Sequence, residues 1–432
     1  MDTRNWPGDW RVISGLVFYT NKTITKRAAM LPLKDPTNPI VVLAILQVLS
    51  ATYFLDIPNF QALDSFLFLF TGVGISLCLL QVPVIQIRKD SIFNRQLLFK
   101  LLVIALLLPV SYQLARHIMD DNPLLYQNAD MLPIIKSMNQ RFLNGQWKQV
   151  YQPIPEIWNG IQPIYLPAMW MPFGLSLIFD FDIRWITVCG IWLAIILCVL
   201  PAWRKITASI FLIAAFLILL VWLHTNGDNG VIELTEEGVV FFYYSLLATA
   251  MIFNNPWLLG ISVAACLLSR YSFIGWIPFA ILYLVLRKEY KLLLRVSITA
   301  VIVAFVLVIP FGLGPLLYHL HLHDNYISHA ARVWHDEPDT YFETLGMAKF
   351  FGASHIKLLH SILVSGSFLI PLSFLLFLRK KLSTQPNILL AGFQLSLTFF
   401  YNFLDVTYLY LYYTPVFVSL LITSWSLSSN KA

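Results

Sequence analysis

The chain has 432 residues, of which 58% are hydrophobic, 15% aromatic and 12% charged. Soluble domains carry about a quarter charged residues, so a water-soluble globular protein is excluded, and length counts membrane spans of roughly 20 apolar residues each. The net charge of +6 does not point to nucleic acid: the basic residues stand at the ends of apolar runs, where a bilayer accounts for them.

In chain order, the first 35 residues read as an interfacial amphipathic arm. Trp6, Trp10, Phe18 and Tyr19 are the anchors, Lys22, Lys26 and Arg27 form a basic cluster, and no small-residue cleavage site follows an apolar core. Apolar runs then fall at 40–55, 63–87, 97–115, 163–180, 185–203, 206–223, 239–253, 257–269, 271–286, 291–312, 359–378, 388–404 and 407–424. A backbone in lipid must satisfy its own hydrogen bonds, so each full span is expected to be helical. The run 163–180 holds Pro163, Pro167 and Pro172, which break a regular helix. Taken as a half-helix that dips in and returns, it leaves 12 spans and gathers the basic clusters in the cytoplasm. The 29 Lys and Arg residues then divide 20 inside to 9 outside, and the 23 acidic residues 5 to 18. The expected fold is an all-α polytopic membrane protein with about 12 transmembrane helices, a re-entrant or surface helix and outer-face amphipathic helices. Its parts are a cytoplasmic arm (1–38), a transmembrane hairpin (39–96), a core (97–312) with outer loop 116–162, and a C-terminal part (313–432) with outer loop 313–358. Both termini are expected in the cytoplasm. Cys78, Cys189, Cys198 and Cys266 lie in apolar runs without a CxxC pair and read as small buried hydrophobes.

Three polar stretches, 116–162, 224–238 and 313–358, fall on one expected face, the outer one. In the first, Leu132, Ile135, Met138 and Phe142 recur at helical spacing, which predicts an amphipathic helix along the membrane surface, stopped by Gly145. Asp130 stands at its start, either as an N-cap or as a carboxylate able to take a proton from a hydroxyl. The Tyr-, Trp- and Pro-rich stretch Trp147 to Pro172 follows, including Tyr151, Trp158 and Tyr165. It reads either as an interfacial aromatic belt or as rigid platforms suited to a sugar ring. The second stretch holds Asp228, Glu233, Glu236 and Glu237, a solvated acidic loop or a source of further catalytic or metal-binding carboxylates. No spacing singles out a metal site, and a divalent ion is left open. The third holds His319, His321, His323, His329, His335 and His355 with Arg332 among them. Ser269-Arg270-Tyr271 breaks the apolar stretch 257–286, placing an ionisable Arg270 near the same face. Arg270 and Arg332 offer forks for a phosphate.

The order of these features resembles the GT-C superfamily of integral-membrane glycosyltransferases. It comprises a spanning helix, an outer loop with an early acid (Asp130), an Asn144-Gly145 stop, the segment Ile164-Tyr165-Leu166-Pro167, the break Leu268-Ser269-Arg270, and a late tyrosine-rich run from Asp405 to Pro415. Within that superfamily, family 87, which contains polyprenyl-phosphate-mannose-dependent enzymes, looks nearest, although the hairpin 39–96 precedes the expected first helix. The resemblance implies a hexosyltransferase with Asp130 as general base. Asp120 and Asp121 compete for that role, and Asp130 is preferred because it leads the amphipathic helix. The resemblance further implies that Arg270 and Arg332 hold the donor phosphate and that His329, His335, Glu237, Asp228 and Tyr165 position donor or acceptor. The implied partners are a polyprenyl-phosphate-sugar donor (mannose by the resemblance to family 87), a lipid or glycan acceptor and the bilayer. No nucleotide cofactor is implied, and the location is a bacterial inner membrane with the site facing the periplasm. The rival classes are a multi-span transporter or flippase, a surface-polysaccharide polymerase or ligase, and an accessory protein without activity.

Overall fold

The computed structural model describes residues 35–83, 95–201, 203, 205–226, 229–312, 314 and 323–428. The arm up to residue 34, Asp228, His319 and His321 therefore lie outside the described residues. From Asp35 onward the chain forms one compact unit. It is helical throughout, and the described residues hold no strand beyond an isolated bridge between Ile154 and Ile161.

The helices in chain order are α1 (Thr37–Ser50), α2 (Gln61–Leu79), α3 (Arg95–Asp121), α4 (Met131–Leu143), α5 (Arg184–Val199), α6 (Ile206–Thr225) and α7 (Glu237–Phe253). They continue with α8 (Pro256–Leu267), α9 (Trp276–Leu286), α10 (Tyr290–Val308), α11 (His323–Asp336), α12 (Ile356–Leu378), α13 (Ile388–Asn402) and α14 (Tyr413–Ser426). Among the described residues, five helical stretches are long and apolar enough to cross a membrane: Gln61–Leu79, Gln96–Asp121, Ile206–Thr225, Tyr290–Phe311 and Ala353–Lys381. The other expected spans are helical but shorter. At 1.5 Å per residue, a helix the length of α8 reaches about 18 Å against a hydrocarbon core of about 30 Å. The apolar runs overstate helix length because their ends unwind. The run from residue 407 does not begin regular α-helix until Tyr413, since Tyr408 is extended. The run 163–180 is broken as its prolines require, into the turns Pro167–Trp170, Met171–Phe173 and Gly174–Ile178.

Helices α7, α13 and α14 form the middle of the bundle, and every residue of α14 is buried. The outermost helices are α3 and α10, whose most apolar windows are only 17% buried. Their exposed leucine, isoleucine and valine faces suit lipid contact. Cys198 and Cys266 are buried as expected, whereas Cys189 is exposed on α5, where lipid can replace protein as its apolar surround.

One close approach fixes the bundle near the site. Thr187 Oγ1 donates to the Thr235 carbonyl at 2.6 Å, and a Cβ at Gly190 would collide with the Gly238 carbonyl, as one at Gly238 would with the Thr187 carbonyl. Small residues let backbones meet where lipid gives no hydrophobic drive between helices. The start of α7, and with it Glu236 and Glu237, is thereby pressed against α5. Gly190→Leu should lose stability by about 1–3 kcal/mol or more through overpacking, read as a lower apparent melting temperature of the purified protein in nanodiscs.

Candidate functional site

The break between α8 and α9 carries Arg270 in extended conformation, followed by a single turn at Tyr271–Phe273. Arg270 Nη2 donates to Glu236 Oε1 at 2.7 Å and to Glu237 Oε1. Both glutamates are wholly buried, while Arg270 keeps 24% of its side chain exposed. The acidic stretch 224–238 is thus not a solvated loop at these positions. Glu236 precedes the first turn of α7 and Glu237 lies in it, where the helix dipole favours negative charge. The half-helix joins the same break: Ala168 N donates to the Leu268 carbonyl at 3.1 Å, and Tyr243 Oη to the Ala168 carbonyl at 3.0 Å.

Two carboxylates share one guanidinium, and Glu236 Oε2, Glu237 Oε2 and Arg270 Nε are buried without a hydrogen-bond partner among the described residues. The cluster is high-stakes, because an uncompensated buried charge costs several kcal/mol. Arg270→Gln should therefore destabilise the protein by about 3–5 kcal/mol, while Arg270→Lys should lose less. Thermal unfolding of the two variants side by side in nanodiscs checks the order.

Helix α4 forms as its apolar spacing predicts. It buries Leu132, Ile135 and Met138, and Gly145, at φ +75°, stops it. Asp130 occupies the N-cap position, yet its side chain makes no capping bond. Its carboxyl instead lies close enough to Trp158 for that residue to favour the charged form. Burial pushes the Asp130 carboxyl above its ordinary value. Trp158 opposes this, Glu236 adds to the rise and Arg332 counters it. Asp130 is therefore set near the buried acids on one side and a cation on the other.

Trp158 is held in an unusual backbone. Trp158, Asn159 and Gly160 run at φ +46°, +58° and +112°, and a bulky residue in the left-handed region is a strained outlier. The loop around them is tied at both ends. Ile154 N bonds the Ile161 carbonyl at 2.9 Å. Arg141, on α4, clamps the carbonyls of Gln149, Gln152 and Pro153 at 2.8, 2.6 and 3.0 Å. The indole remains 54% exposed, with the Tyr126 ring edge-on at 5.4 Å. Strain of this kind persists only where the surroundings over-determine it, and here it holds Trp158 beside the Asp130 carboxyl.

Tyrosines line the space between Asp130 and Arg270. Tyr165 and Tyr410 both lie in the fields of Asp130, Glu236 and Arg270. Tyr410 Oη reaches Met131 Sδ at 3.6 Å and its ring stacks on Tyr408 at 5.5 Å. Tyr326 of α11 packs edge-on against Tyr271 at 6.0 Å, within range of Arg270. Tyr151 Oη donates to the Tyr165 carbonyl at 3.0 Å and accepts from Trp170 at 3.1 Å.

Of the residues expected from the sequence, Asp130, Glu237, Arg270, Arg332 and Tyr165 come together. His329 joins through Arg332, whose Nη2 donates to His329 Nδ1 at 3.0 Å. Burial and the adjacent guanidinium hold His329 below its ordinary value, which keeps it a neutral acceptor. His335 does not join: it is 88% exposed and paired with Asp336 at 2.8 Å. Asp120 and Asp121 pair with Arg116 and His117 one turn back on the exposed end of α3. Among the described residues no group of three or more His, Cys, Asp or Glu side chains is arranged to hold a metal ion. Sequence reading named Glu236 among the candidate carboxylates and Trp158 within the aromatic stretch, but gave neither of them, nor Tyr410, a role of its own in the site. The doubled Glu-Glu at a helix start signalled the first, and the Trp-Asn-Gly turn the second.

No protein-family model, curated protein or solved structure matches the chain.

A signed test follows from the placement of Trp158 beside Asp130. The Asp130 carboxyl should titrate above the ordinary carboxylate range, and Trp158→Phe, which removes the indole N–H and keeps a ring, should move it higher. The carboxyl infrared band that disappears in Asp130→Asn reads both titrations. A midpoint that stays put or falls in Trp158→Phe would contradict the assignment.

Proposed function

We propose that this chain is an integral-membrane glycosyltransferase of the GT-C kind. It transfers a hexose from a polyprenyl-phosphate donor to a hydroxyl of a lipid-linked or other outer-face glycan acceptor, with inversion. The reading takes the helices as 12 spans plus the broken half-helix at 163–180, with both termini in the cytoplasm and the site facing the periplasm. The observation that carries it is the side chain of Asp130, which stands at a helix start without capping it. This carboxylate is tuned by burial, Trp158, Glu236 and Arg332, and Tyr165 and Tyr410 share its field with Glu236 and Arg270.

In this mechanism Asp130 accepts the proton of the acceptor hydroxyl. The freed oxygen forms a bond to the anomeric carbon as the bond from that carbon to the donor phosphate oxygen breaks, and the pair of electrons leaves with the lipid phosphate. Arg332 is the better ligand for that phosphate. Its partner His329 is neutral, whereas Arg270 already faces two carboxylates. Arg270 then acts as the holder of Glu236 and Glu237. The ring faces of Tyr408 and Trp158 and the hydroxyl of Tyr165 supply the mixed apolar and polar surface that a sugar requires.

Asp130→Asn should lower transfer by about 10²–10⁴-fold while the protein melts at a near-normal temperature. The measurement is transfer of radiolabelled sugar from polyprenyl-phosphate-sugar in proteoliposomes. Retained turnover would sink the mechanism.

A buried polar seam favours the transporter as second reading. Asp64 of α2 is wholly buried beside Ser50, and both amide atoms of Gln47 lack a hydrogen-bond partner among the described residues. Ionisable groups inside a bundle mark transport paths by default. Solute flux without sugar transfer in the same proteoliposomes would select it.

A further inference from the structure

At the ends of α8 and α10 remote from Arg270, a second feature belongs to none of the chemistry above. A cleft of about 630 Å³ is lined by Asn254 and Pro256 from the turn between α7 and α8, and by Lys288, Glu289, Tyr290, Lys291, Leu292 and Arg295 from the turn into α10. Both turns are pinned by left-handed residues, Asn254 at φ +49° and Lys288 at φ +59°. Lys288, Lys291 and Arg295 are all exposed. The one acid of the cleft, Glu289, is engaged outside this trio, by Arg287 at 3.0 Å. Three cations therefore face the space with little compensation. The first turn of α10, a 19-residue helix, has no side-chain cap, so its dipole adds to their field.

The surroundings are apolar and open. Trp257 (59% exposed) and Tyr290 (56%) flank the cleft as interface anchors do. From its rim, Leu294, Ile298, Val301 and Phe305 run along α10 as an exposed stripe at helical spacing. A phosphate in the cleft would leave an attached acyl chain lying along that stripe. Basic pockets between membrane helices take lipid head groups in this way.

We propose that this cleft binds a phosphate group, carried by an anionic phospholipid head group or free in solution. The proposal is independent of the transfer reaction and of Asp130. The test measures binding to the full-length protein by native mass spectrometry. One arm uses nanodiscs containing phosphatidylglycerol in phosphatidylcholine, and the other uses inorganic phosphate in nanodiscs of phosphatidylcholine alone. The variant is Lys291→Gln/Arg295→Gln. The control is Lys380→Gln/Lys381→Gln, which removes the same charge from an exposed turn outside the cleft. The cleft variant should weaken binding by about thirtyfold, about fivefold for each cation removed, and the control should leave it unchanged. Loss confined to phosphatidylglycerol identifies a lipid site, and loss of inorganic phosphate binding identifies a free-anion site. Equal losses in variant and control, or no loss in either arm, would overturn the proposal.

Discussion

The pairing of Arg270 with Glu236 and Glu237 is the constraint on which the site depends. A guanidinium between two short helices is tolerable only if it is paired, and two carboxylates without solvent exposure are tolerable only against a cation. Each group makes the others affordable. The pairing also joins parts distant in sequence: the start of α7, the break between α8 and α9, and, through the Leu268 carbonyl, the broken half-helix at Ala168. Gly190 and Gly238 let α5 and α7 approach closely enough for this arrangement.

Asp130 is then placed by a second, independent device. Helix α4 lays its apolar face on the bundle, where buried Asn139 bonds the Trp170 carbonyl at 2.8 Å. Arg141 on the same helix holds the loop that carries Trp158. One helix thus supplies the carboxylate at its start and, through Arg141, the support of the indole that tunes it. Strain at Trp158 and burial at Asp130 are opposed influences on one proton. A carboxyl poised in this way responds to anything that displaces the indole.

Much of this was legible in the sequence, and the reasons differ by element. The 3.6-residue spacing of Leu132, Ile135 and Met138 and the stop at Gly145 located α4 because both are local properties. The prolines of 163–180 located the break into short helical turns for the same reason. Span length was not legible. Hydropathy runs through helix ends, and what delays the start of α14 to Tyr413 or breaks α8 before Arg270 is not a local property of composition. Burial of Glu236 was equally hidden, since a run of acids between apolar segments reads as solvated until a distant arginine is known to face it. His335 and Arg332 share a helix only three residues apart, yet one faces outward to Asp336 and the other serves the site. Composition cannot distinguish them.

The short helices have a physical use. A full-length span through the region of Arg270 would carry a charged side chain past lipid, at a cost of several kcal/mol. Helices α8 and α9 stop short of that length and meet at Arg270, so that the charge lies at a helix end with its acids. Tyr401 and Tyr410 lie near it, and Ser272, two residues on, bonds the hydroxyls of Tyr244 and Tyr401 at 2.7 and 3.2 Å. The outer helices α3 and α10 keep long, exposed apolar faces. The bundle is thereby divided by function of length: long helices meet lipid, and short ones end where polar chemistry is gathered.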